Sequence, residues 1–166
     1  MTTIVTSRIG VVVDALVAAL KASAVFADPV RVYDGPVTHA DTMWTQSVYV
    51  GFDGEWANSQ YDAVDLRQSL NYLGNTSMFE EFDINGVAEA WNGDVTTKVV
   101  RDQCLAMFAG VQTVLRTDPT LGVDGSTVTG LTLVGQLRYE FDSSGNILAR
   151  LPFQIHVITT LLTTNP

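Results

Sequence analysis

Between Val95 and Arg116 the side chains Val100, Cys104, Met107, Phe108, Val111, Val114 and Leu115 recur at spacings of 4, 3, 1, 3, 3 and 1. Lys98, Arg101, Asp102, Gln112 and Arg116 fall opposite or on the flanks. That pattern predicts a long amphipathic helix laid along a sheet. An earlier stretch repeats the signal: Ile9, Val12, Val13, Leu16 and Leu20 form one stripe, with Asp14 and Lys21 facing away. Ser7 is placed to cap this first helix, and Asp28-Pro29 to stop it near Ala27, because proline disfavours a helical residue before it. A membrane-surface helix would need several cations on its polar side. Here Lys21 stands alone, so the stripe reads as core.

Elsewhere the period is two. Val30 to Tyr33 reads as a short strand closed by the turn Asp34-Gly35-Pro36, and Met43 to Phe52 as a second. Met78 to Trp91 reads as a central strand that turns through Asn92-Gly93-Asp94 into the long helix. Gly130 to Phe141 places Leu131, Leu133, Leu137, Tyr139 and Phe141 on one side. A five-residue hairpin loop, Asp142 to Asn146, leads to the last strand, Ile147 to Thr160, with Ile147, Leu151, Phe153, Ile155 and Val157 on one face. Pro152 inside that strand points to a bulge or an edge. The element order predicts an α+β fold: a mainly antiparallel sheet, two long helices packed on one face, and a C-terminal β-hairpin. One domain over residues 1–166 is expected, with an excursion at about 53–77 that is long for a compact domain. Ala63 to Leu70 suggests one or two helical turns within it. Its aromatics Trp56, Tyr61 and Tyr72 suit either a protein contact or a pin that holds the loop to its own body.

Charge narrows the function classes. The chain has 166 residues, a net charge of −9, and only 16% charged residues, against about 25% in an average domain. The nine basic residues are scattered, which argues against direct nucleic-acid binding. So few charges leave a surface suited to burial against copies of itself. The longest apolar run, Ile9 to Ala19, is interrupted by Asp14 and too short to span a bilayer. The first residues lack a secretory pattern, and a cytoplasmic product is expected.

Candidate chemistry is sparse. The one cysteine, Cys104, lies on the apolar arc and reads as a buried thiol. His39 and His156 are far apart, and His156 reads as a strand-surface histidine. Glu80, Glu81 and Asp83 are the densest acidic group, but Glu80 and Glu81 point to opposite faces of a strand. They, Asp53-x-Glu55 and the Asp142 loop read as a solvated acidic rim without metal-ligand spacing. No nucleophile elbow, phosphate loop, dinucleotide fingerprint or HExxH is present. The expectation is therefore no enzyme, no cofactor and no metal.

Several local stretches together resemble one family. They are Val32-Tyr33-Asp34-Gly35-Pro36, Phe82-Asp83-Ile84, and Ala88-Glu89-Ala90-Trp91-Asn92-Gly93-Asp94. Leu115-Arg116-Thr117-Asp118-Pro119-Thr120-Leu121-Gly122 and the closing hairpin with Phe153 and Ile155 complete the set. In these and in its element order the chain is similar to the tail terminator proteins of long-tailed bacteriophages. The resemblance implies a virion protein of the neck, assembled in the host cytoplasm. It implies a homohexameric ring that caps the tail-tube protein and meets the head–tail connector or stopper. DNA would pass through without specific binding. The candidate subunit-interface residues are Trp56, Tyr61, Tyr72, Ile147 and Phe153, on the aromatic loop and the expected edge of the last strand. Other readings are a neck or tail-completion adaptor of the same fold and, more remotely, a small-ligand-binding or enzymatic domain with a deep polar pocket.

Overall fold

The computed structural model describes residues 7–37, 45–55, 60–69, 77–93, 96–141, 143 and 145–162. Two helices, α1 (Ile9–Ala22) and α2 (Thr97–Thr117), lie on one face of a seven-stranded, mostly antiparallel sheet. The strands are β1 (Val30–Asp34), β2 (Gln46–Val50), β3 (Val64–Ser69), β4 (Ser77–Asn92), β5 (Ser126–Leu133), β6 (Arg138–Phe141) and β7 (Ile147–Leu162). Their order is β1-β2-β4-β7-β5, with β3 also on β4 and β6 also on β7. Among the described residues only β1 and β2 run parallel. The architecture is α+β, as the periodicity predicts. Among the described residues no helix is long and apolar enough to cross a membrane.

β4 and β7, paired over 16 positions, are the spine. Period-two alternation sends Phe82, Ile84, Ala88 and Ala90 of β4 and Leu151, Phe153, Ile155 and Val157 of β7 toward the helices. There they meet Val12, Leu16 and Leu20 of α1 and Val100, Cys104, Met107 and Val111 of α2. Two glycines permit this packing. A Cβ on Gly86 would lie 2.5 Å from the Phe153 ring, and one on Gly110 would lie 2.7 Å from Val25 and 2.9 Å from Phe26. Hence Phe153 fills the space above Gly86, its partner across β4 and β7, and α2 approaches the turn after α1 closely.

Several boundaries differ from expectation. α1 ends at Ala22, where Ser23 turns extended and its hydroxyl accepts from Val25 N–H at 3.3 Å, starting a single 3-10 turn, Ala24–Phe26. The stretch 64–69 is a strand, not helical turns. Val64 and Leu66 share a side opposite Asp65 and Arg67, and the spare half of the β4 edge is there to pair with. Gly130 to Phe141 is broken. A bulge falls between Val128 and Gly130, β5 ends at Leu133, and Gly135 at φ 67° turns the chain before β6. Pro152 stands opposite that break: its carbonyl accepts from Val134 N–H at 3.1 Å, toward the β5/β6 side. A residue's N and carbonyl point to the same side of a strand, so the missing donor falls where the ladder is already interrupted. β7 is therefore an interior strand, with β4 on one side and β5 and β6 on the other, and not an edge.

Candidate functional site

The sheet face away from the helices is polar and carries a strap. After β2 the chain crosses β4: the N–H groups of Gly51 and Phe52 donate to Asn85 O at 2.7 and 3.2 Å. Gly54 passes over Val87. Glu55 then reaches Arg138 of β6 as an ion pair. The strap returns through Tyr61 and Asp62, and Asn85 clasps it with Nδ2–H to Asp62 O at 3.0 Å and N–H to Ala63 O at 3.0 Å. Gln154 Nε2 donates in turn to Asn85 Oδ1 at 2.9 Å. The Asp53 carboxylate accepts from Glu55 N–H and Asp62 N–H, each at 3.0 Å, and so fixes the neck of the loop. Phe52 is buried beneath it with Tyr49 and Val87, and Tyr61 packs edge-on against Phe52 at 5.7 Å.

Three cross-strand groups continue this face. Arg150 sits between Glu89, at 3.1 Å, and Glu140, linking β4, β7 and β6. Arg138 is paired in register with Arg150, and Glu55 of the strap relieves the like charge. His156 lies in register with Asp83, Nδ1 to Oδ1 at 2.6 Å, with Glu81 Oε1 3.2 Å from Nε2. Both ring nitrogens thus lie beside carboxylates of β4. Among the described residues no three His, Cys, Asp or Glu side chains converge on a metal-sized point.

On the helix side the chemistry is structural. The Cys104 thiol lies 3.5 Å from Ala88 O and 3.4 Å from Ala149 O, and burial pushes it up to about 12, far from the reactive thiolate range. Glu80 is fully buried, unlike a solvated rim residue, and accepts from Arg8 N–H at 2.8 Å at the start of α1. A carboxylate there complements the unpaired donors of the helix N-terminus. On the opposite face, beneath the strap, burial and then the nearby Glu89 charge raise the Tyr49 hydroxyl well above its ordinary range, so it stays protonated.

The predicted interface residues separate. Phe153 is 1% exposed and packs on Phe108, ring centroids 5.9 Å apart, so it belongs to the core and to no subunit contact. Ile147 is half-buried against the same core. Both were expected on an edge, and an interior strand offers none. Tyr61 is 48% exposed: one side pins the strap and the other meets solvent. Trp56 and Tyr72 lie outside the described residues.

The exposed apolar groups that sequence reasoning passed over are Leu133, Tyr139 and Phe141, the last 66% exposed. Their register partners, Phe153, Ala149 and Ile147, put them on the helix side of β5 and β6. They alternate correctly in the sequence, yet only the tertiary structure reveals that they stand exposed among the described residues. Compared with models of known protein families and with curated proteins, the chain matches none.

Proposed function

We propose that this protein is a structural component of a bacteriophage neck: a tail-terminator-like ring that caps the tail tube and joins it to the head connector. The sequence resemblance to tail terminators is one support. The observation that carries the reading is the pair of sheet edges. Among the described residues neither the outer side of β1 nor that of β5 and β6 has a strand partner. One of these edges presents exposed Leu133, Tyr139 and Phe141. Two different sticky edges on one chain are what head-to-tail association uses, and such contacts close into rings when the rotation between copies allows. The polar clusters support the same view, because each named side chain is occupied by another part of the chain.

Six copies at −9 each carry about −54. DNA passing through an acidic lumen is repelled from its wall and slides. Size-exclusion chromatography with light scattering, followed by negative-stain microscopy, tests the reading. Closed rings of about six copies are expected; a lone 18.0 kDa species at every concentration overturns it.

A further inference from the structure

The two edges differ in a way that fits them to each other. At the β5/β6 edge, Leu133, Tyr139 and Phe141 form an apolar ledge that α2 does not reach. Leu105, also exposed, precedes Phe108 and Gln112 on one flank of α2 by 3 and 7 residues. Phe108 touches Phe153, and Gln112 faces β5, so this flank borders the ledge. Arg101 follows the same spacing. It and Lys98 share one carboxylate, Asp102, which leaves a positive charge in excess.

At the other edge an open groove of about 410 Å³ runs between the first turns of α1, the end of β1 and the returning strap. Ile9, Val13, Tyr61 and Val64 supply apolar lining. Among the described residues its charged lining is Asp14 and Asp34, and neither makes an ion pair there. A cationic, apolar projection at one edge thus faces away from an anionic, apolar recess at the opposite edge.

We propose that this recess receives the β6 ledge of a second copy of the chain. Phe141 and Tyr139 seat on the apolar lining, and Arg101 approaches Asp14 and Asp34. The inference rests on the ring reading and names the surfaces that would build it. Because the contact is heterologous, every copy carries both halves.

Three full-length variants test it: Phe141→Asp removes the ledge, Tyr139→Asp does so independently, and Asp14→Arg with Asp34→Arg reverses the recess. All four altered groups are exposed, and circular dichroism checks each fold. Each variant is expected to weaken self-association at least about 30-fold in light scattering. Mixing Phe141→Asp with the recess variant is expected to yield a capped dimer of twice 18.0 kDa, since one intact ledge and one intact recess remain. If the wild type assembles and the folded variants assemble equally well, or the mixture yields no dimer, this pairing is overturned and the ring reading stands. A wild type that never assembles overturns both.

Discussion

The two faces of the sheet are held by different physics. Toward the helices, β4 and β7 present Phe82, Ile84, Phe153, Ile155 and Val157 to a dense apolar layer. Away from them, the same two strands present Asp83, Asn85, Glu89, Arg150, Gln154 and His156, joined in pairs and clasped under a strap. One face is stabilised by water exclusion, which scales with buried area. The other is stabilised by the small apolar cluster of Tyr49, Phe52 and Val87 and, around it, by hydrogen bonds and ion pairs, each small in net terms because water competes for the same groups. Stability should therefore be concentrated on the helix side, and local opening on the other.

Substitutions sharpen that contrast. Phe153→Ala should cost most, about 3–5 kcal/mol in chemical denaturation, because it leaves a cavity above Gly86. A cost below about 1 kcal/mol would mean that the core is not centred there. Glu80→Ala should cost about 1–3 kcal/mol by leaving Arg8 N–H without its acceptor; no change in melting temperature would contradict the capping role. Asn85→Ala should cost less globally, about 1–2 kcal/mol, yet raise hydrogen exchange at Gly51, Phe52 and Asp62 while α1 and α2 stay protected. Uniform exchange across both faces would erase the distinction drawn between them. Arg138→Ala, at an exposed pair with Glu55, should change stability by no more than about 1 kcal/mol.

The smallest effect is one of pH. Lys98 beside Asp102 holds that carboxyl below its ordinary 3.8, and the Thr120 hydroxyl does the same for Asp118. A depressed folded value means that the contribution is complete above 3.8 and is lost as pH falls through the folded value. Melting temperatures of Asp102→Asn and Asp118→Asn should therefore match the wild type more closely at pH 2 than at pH 7. A gap that widens in acid would reverse the assigned sign.

Much of this fold was legible in the chain. The spacing of Val100, Cys104, Met107 and Val111 is set by helix geometry, and those side chains are buried as expected. The alternation in Met78 to Trp91 and in Ile147 to Thr160 likewise marks both central strands. Strand neighbours were less legible. Val64, Leu66 and Arg67 are too few to separate a strand from a helical turn until β4 offers an unpaired edge. Phe153 looked the same whether on an edge or inside the sheet, because alternation reports a face and not a position within the sheet.

Local physics alone determined the helices, the long strands, the buried thiol and the acidic, charge-poor surface, since each depends on residues close in sequence. The tertiary structure decided that β7 is interior, that Glu80 caps α1, that residues 51–55 and 60–63 belong to a strap over the polar face, and that Leu133, Tyr139 and Phe141 stand uncovered. Those outcomes depend on contacts between residues far apart in the chain, such as Arg8 with Glu80 and Arg138 with Glu55. Periodicity cannot encode them, because it records which way a side chain points and not what the fold brings to meet it.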